Sequence, residues 1–155
     1  MISTNSFRGE TVNNTTINDC RLIELEKFSS NRRGNLTPVS NNKEIPFKIR
    51  RVYYLHDIPA GAERGAHAHK LLQQLIISVS GSFDVVLNDG KDSKTFNMNV
   101  PYNGLLLPGY IWRELKNFSA GSICLVLASQ RFEVEDYIRD YDEFLKIKAV
   151  SKFHE

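Results

Sequence analysis

The residues with the clearest chemistry lie between Gly61 and Gly81. His67 and His69 stand two apart in the run Arg64-Gly-Ala-His-Ala-His-Lys70. Residues two apart on an extended strand share a face. The chain has four histidines, and two of them are here. Ala66 and Ala68 leave space around the rings, and Arg64 and Lys70 bracket them with positive charge. An imidazole titrates near about 6.5, so it suits general base catalysis at neutral pH. Two on one face can pass a proton between them. The plain alternative is a chance pair in an exposed loop.

A tyrosine would complete a proton relay. In Ile49-Arg-Arg-Val-Tyr-Tyr-Leu-His56 the face made by Ile49, Arg51, Tyr53 and Leu55 is the better interior. Tyr53 is therefore the candidate, with Tyr54 as its substitute. The competing role for Tyr53 is a core aromatic with a satisfied hydroxyl. His56 falls on the opposite face and reads as a surface residue.

These side chains need strands to hold them. Residues 20–28 alternate well enough for one strand, and 29–43 have a loop composition, with Pro38 and four asparagines. Further strands are expected at 47–56, 73–80, 82–88, about 95–98, 104–107, 111–116 and 121–129. Asn88-Asp89-Gly90 is a tight-turn signal. Tyr137, Tyr141, Phe144, Leu145 and Lys148 follow helical spacing, with Asp140 and Glu143 as a capping pair. Short, regularly spaced strands suggest an antiparallel sandwich or barrel, here with one terminal helix. Three segments follow: a polar extension over 1–18, a single domain over 19–150 and a tail over 151–155.

Composition excludes several classes. The chain has 155 residues, one domain's worth, with 20 Lys+Arg against 18 Asp+Glu. A net charge of +2 does not suit a nucleic-acid binder that works by bulk electrostatics. No apolar run approaches the roughly 20 residues a bilayer span requires. The polar first 18 residues carry no secretion signal. Cys20 and Cys124 form no CxxC or Cys/His cluster, so a structural zinc site is not expected. Two scattered cysteines fit a reducing compartment, and a cytoplasmic location is expected.

The spacing around the histidines adds more. Gly61, five residues, His-x-His, four residues, Gln74, six residues, Gly81 resembles the first motif of the cupin superfamily, which has Glu where this chain has Gln74. Pro108, Arg113 and Asn117 resemble the second motif, with Arg113 where the family usually has histidine. The fold class implied is all-β, a cupin-type antiparallel β-barrel or jelly roll with a short C-terminal helix. Metal-binding cupins use both histidines, the Glu and the last histidine as ligands. Here the carboxylate is a neutral amide and the last ligand a fixed cation that has no lone pair to give. No metal and no cofactor are expected.

Arg33-Gly-Asn-Leu, Ile45-Pro-Phe-Lys-Ile-Arg-Arg-Val-Tyr-Tyr, Arg64-Gly-Ala-His-Ala-His-Lys, Val79-Ser-Gly-Ser and Asp136-Tyr-Ile-Arg-Asp-Tyr-Asp together resemble the sugar 3,4-ketoisomerases, the WxcM-like cupins that act on dTDP-4-keto-6-deoxyhexoses. That resemblance spans about residues 20–146. It implies a metal-independent homodimer that moves a ketone from C4 to C3 in deoxyamino-sugar biosynthesis, feeding a glycan such as lipopolysaccharide. The partner implied is a dTDP-linked nucleotide sugar, with no nucleic acid and no membrane. By the resemblance His67 and His69 are the catalytic histidines. The sequence does not rank them, and His67 is preferred for removing the C3 proton. Arg113 would contact the sugar oxygens or the enediolate, or else form an ion pair with Asp84 or Glu114. Arg33 matches a position near the hexose. Arg64 and Lys70 would hold the pyrophosphate, or else be solvated charges. Arg51 and Gln74 complete the expected substrate contacts. The C4 configuration of the product stays open. Two other functions fit the same residues: an epimerase of dTDP-4-keto sugars, and a non-catalytic cupin that binds nucleotide sugars.

Overall fold

Period-two burial builds the fold. The computed structural model describes residues 13–150. Its strands are β1 (Arg21–Glu24), β2 (Phe28–Ser30), β3 (Gly34–Leu36), β4 (Arg51–Leu55), β5 (Arg64–His69), β6 (Gln74–Ser80), β7 (Phe83–Asn88), β8 (Ser93–Met98), β9 (Asn103–Leu107), β10 (Trp112–Lys116), β11 (Ile123–Ala128) and β12 (Tyr137–Ile138), and helix α1 spans Tyr141–Val150. Along β7, Phe83, Val85 and Leu87 are buried while the residues between them are half-buried.

Two five-stranded antiparallel sheets result, ordered β1-β9-β6-β11-β4 and β12-β5-β10-β7-β8, with β2 and β3 as a separate hairpin. Their inner faces share one core. Ile76, Leu105, Leu107, Cys124 and Val126 from the first sheet pack with Phe83, Val85, Leu87 and Leu115 from the second. This is the expected all-β jelly-roll sandwich with one C-terminal helix.

Several boundaries differ from the sequence expectation, each for a physical reason. The strand expected over 47–56 begins only at Arg51. Ile45 and Phe47 instead bury themselves with Leu75, Ile77, Leu106 and Leu127 in a second cluster. Their apolar character serves packing and carries no strand period. The single strand expected over 20–28 is divided between β1 and β2, and the loop expected over 29–43 contains β3.

The helix expected from Tyr137 starts four residues later. Asp140 accepts a hydrogen bond from the Glu143 N–H at 2.8 Å, which caps the first turn where a capping pair was expected. Tyr137 and Ile138 lie upstream of that cap and pair with His69 and Ala68 of β5. Phe144 then packs the helix onto Ala68, Tyr110, Trp112 and Ile138.

The tight turn at Asn88-Asp89-Gly90 is present. Asp89 Oδ1 accepts from the N–H groups of Lys91 and Asp92, and Asn88 Oδ1 from that of Gly90. Asp89 Oδ2 also accepts from the Ile17 N–H at 2.9 Å. Residues 13–18, grouped by sequence with the polar extension, are thus tied to the sandwich. Thr15 Oγ1 donates to the Gly109 carbonyl at 2.7 Å, and Lys148 Nζ of α1 donates to the Thr15 carbonyl at 2.5 Å. The rest of that extension, 1–12, and the tail over 151–155 lie outside the described residues.

Candidate active site

Strand β5 carries both histidines, and a β-bulge aims them. Arg113 of β10 pairs with His67, but Glu114 pairs with Gly65, so Ala66 is the extra residue. Gly65 and Ala66 have φ of 92° and 47°. A Cβ at Gly65 would lie 3.0 Å from the Arg113 carbonyl oxygen, so the close approach and the positive φ both require glycine. The bulge turns the Gly65 carbonyl back to accept from His67 Nδ1 at 2.7 Å.

The two rings meet edge to face, with centroids 4.8 Å apart. Their Nε2 atoms are 3.1 Å apart. His69 is buried, and its Nδ1 lies 3.1 Å from Asp136 Oδ2. The Tyr137 ring lies 4.3 Å from His69 and 5.0 Å from His67. Burial and then the positive charge of Arg113 push His67 down to about 3. Burial likewise pushes His69 down to about 4, opposed by its hydrogen bond to Asp136. Both rings are neutral at neutral pH and can accept a proton.

Opposite the histidines runs a chain of polar groups. Arg113 is fully buried. It donates through Nη1 to Gln74 Oε1 and through Nη2 to the Ile111 carbonyl at 2.9 Å. Gln74 Nε2 then donates to the Tyr53 hydroxyl at 2.9 Å. Neither of the two carboxylates considered for Arg113 is its partner: Asp84 accepts from Asn97 and Asn117, and Glu114 faces Trp112 and Lys116. Burial raises the Tyr53 pKa, so the phenol keeps its proton. Because its oxygen accepts from Gln74, that proton is left to point elsewhere. Burial lowers Arg113 only to about 10, so it remains a cation at neutral pH.

These groups surround a cavity of about 310 Å³. Arg51, Tyr53, Arg64, His67, Gln74 and Arg113 line it, as do Tyr137 and Arg139. His69 sits behind His67 and reaches the cavity through it. Arg51 lies over the Tyr53 ring at 5.1 Å and over Phe132 at 5.6 Å. The buried Nε atoms of Arg51 and Arg113 have no hydrogen-bond partner among the described residues. Arg33 is exposed on the turn between β2 and β3, and Lys70 is exposed just after β5; neither lines the cavity. His56 is exposed, beside Asp57.

Sequence reasoning missed three contributors. Asp136 and Tyr137 stand in a motif to which the sequence attaches no role in the site, and the spacing predicts a helix from Tyr137. Arg139, its guanidinium 4.2 Å from the Tyr137 ring, was not singled out. No local period marks them, because β12 is two residues long and gains its place only by pairing with β5. Among the described residues, no group of three or more His, Cys, Asp or Glu is placed to hold a metal ion.

Residues 18–149 match the family model described as "FdtA: WxcM-like, C-terminal". A TDP-4-oxo-6-deoxy-alpha-D-glucose-3,4-oxoisomerase from Aneurinibacillus thermoaerophilus is 39% identical over 83% of this chain and 92% of its own length. The structure of the WlaRB TDP-quinovose 3,4-ketoisomerase from Campylobacter jejuni is 48% identical, with a TM-score of 0.80 over 84% of this chain and 99% of that one. The sugar 3,4-ketoisomerase QdtA from Thermoanaerobacterium thermosaccharolyticum, solved in complex with TDP, is 34% identical, with a TM-score of 0.84 over 87% and 98%.

Proposed function

The chain belongs to the WxcM-like family, and from that premise we propose that it is a TDP-4-keto-6-deoxyhexose 3,4-ketoisomerase that works without a metal. The observation that carries this reading is the pair of neutral histidines beside a cationic cavity whose other wall holds a protonated tyrosine. Isomerisation breaks the C3–H bond, and its electrons form the C3=C4 bond of an enediolate as O4 takes the charge. Protonation of O4, loss of the O3 proton and protonation at C4 then leave the ketone at C3. The His67–His69 pair takes the C3 proton, with His67 at the cavity wall. Tyr53 supplies a proton to the sugar oxygen. The buried charge of Arg113, conveyed through Gln74, steadies the anionic intermediate. Arg51 and Arg64 on the cavity wall suit a diphosphate linker. Arg33 and Lys70 have no place in that wall, so their proposed sugar and pyrophosphate contacts find no support in the cavity of one chain.

We further place the protein in the cytoplasm as a homodimer. Cys20 and Cys124 are both free thiols, which suits a reducing compartment. Among the described residues, no helix is long and apolar enough to cross a membrane. The outer face of the first sheet exposes Val52, Tyr54 and Val79, with β4 as an open edge, a surface that a second copy would cover. A 3-keto product is what an amino-transfer enzyme needs, which is the link to deoxyamino sugars and glycans such as lipopolysaccharide.

The test is incubation with dTDP-4-keto-6-deoxyglucose in deuterated buffer, followed by NMR of the product. The ketone should move to C3, with deuterium entering at C4. Exchange at C3 or C5 with the ketone still at C4 would identify an epimerase. Saturable binding without turnover would identify a binding module.

A further inference from the structure

We propose that Asp136 is a positioning residue that sets the proton arrangement of the histidine pair, so that both Nε2 lone pairs face one another and receive the substrate proton jointly. This rests on the isomerase reading above. The argument is a count of protons. Two neutral imidazoles carry two N–H protons between them. His67 Nδ1 faces the Gly65 carbonyl, which can only accept, so His67 holds its proton there. His69 Nδ1 faces the Asp136 carboxylate, which also accepts, so His69 holds its proton there. Both Nε2 atoms are then bare and stand 3.1 Å apart. Two opposed lone pairs repel until a proton arrives between them, and that proton makes an N–H···N bond of ordinary length. The positive charge created is met by the Asp136 carboxylate behind His69.

Asp136 is itself held rigidly. Its Oδ1 accepts from the Leu71 N–H at 2.8 Å and its Oδ2 from the Leu72 N–H at 3.3 Å. Its carbonyl accepts from the Lys70 N–H at 2.9 Å. The chain that follows β5 is thereby fastened to the residue that orients the second histidine of β5. Burial pushes the Asp136 carboxyl up, but the bonds from His69, Leu71 and Leu72 outweigh it and keep the group ionised. The other charged or titratable groups facing His69 are His67 on its own strand, Arg113 on β10, Arg51 on β4 and Tyr137 on β12. Both arginines disfavour a charged imidazole, so Asp136 is the one carboxylate among these groups that favours it.

The test uses Asp136→Asn and ¹⁵N NMR of histidine-labelled protein. An asparagine oxygen that keeps the shorter Leu71 bond puts the amide nitrogen in the place of Oδ2, so the longer Leu72 bond is given up and the amide presents N–H to His69 Nδ1. His69 must then move its proton to Nε2. The wild type should show His69 as the Nδ1–H tautomer and the variant as Nε2–H. Turnover of the variant should fall by at least about 100-fold with little change in KM, and its acid limb should move to lower pH. Asp136→Glu, which restores a carboxylate, should recover part of the loss. A merely structural role would lower the melting temperature without moving the tautomer or the acid limb. The proposal is overturned if wild-type His69 is the Nε2–H tautomer, a result that needs no variant to fold. It is equally overturned if a folded Asp136→Asn protein keeps wild-type turnover and pH profile. An inactive wild type with His69 as Nδ1–H would support the orientation while removing the isomerase reading.

Discussion

His67 and His69 have the same side chain and different tasks. His67 is at the cavity wall, while His69 is buried and backed by a carboxylate. Replacing either with Asn should leave the fold intact and lower turnover by at least about 100-fold, since an amide cannot take a proton near neutral pH. Tyr53→Phe should slow the reaction by less, because water can replace the phenol. If both Asn variants turned over like wild type, the histidine mechanism would be wrong. The pH dependence has a definite sign. The base must be neutral, and both rings are held below the ordinary value of 6.5, at about 3 and about 4. Turnover should therefore persist below pH 6.5 and fail only in more acid solution, with an apparent pKa that belongs to the pair. Stability should begin to decline earlier, as pH falls from about 6.5 towards 4 and 3, because there the unfolded chain takes up protons that the folded histidines refuse. A kcat/KM profile with its acid limb at or above 6.5 would contradict this.

At the scale of elements, the site depends on the shape of β5, whereas no residue of α1 lines the cavity. Asp140 caps α1, away from the cavity. Asp140→Ala should cost about 1 kcal/mol in denaturant unfolding and leave KM and turnover near wild type. Gly65→Ala is a contrasting case. It places a Cβ 3.0 Å from the Arg113 carbonyl at a φ of 92°, which should lower both the melting temperature and turnover, because the same bulge carbonyl holds His67 Nδ1. Equal activity in the two variants would mean that the bulge does not aim the base.

The whole molecule supplies what no element holds alone. The cavity is walled by both sheets: Tyr53 and Gln74 come from one, and His67, Arg113 and Tyr137 from the other. A buried guanidinium in the cavity wall, which has no lone pair to give a metal, should make the enzyme indifferent to chelation. EDTA should leave turnover intact, and elemental analysis should find no stoichiometric transition metal; about one Zn, Fe or Mn per chain, with activity lost on chelation, would be the contrary result. The apolar outer face around Val52, Tyr54 and Val79 should bring two chains together. Light scattering at micromolar concentration should return twice the 17.7 kDa chain mass, and a monomer would count against the dimer.

The sequence by itself determined the all-β architecture, because turn residues and period-two alternation are local. It also determined the histidine pair and the inward face of Tyr53, since residues two apart on a strand share a side. The Asp140 cap was legible as well, from the spacing of Asp140 and Glu143. Only the tertiary structure decided the rest. Phe47 and Ile49 read as the start of a strand because apolar composition does not distinguish a strand from a segment folded over one. Tyr137 read as helical because residues 137 and 141 fit a helix turn, whereas its actual place comes from pairing with His69, 68 positions earlier in the chain. Asp136 is invisible for the same reason: a carboxylate acquires a role when folding sets it 3.1 Å from a particular ring nitrogen, and no local pattern encodes that distance.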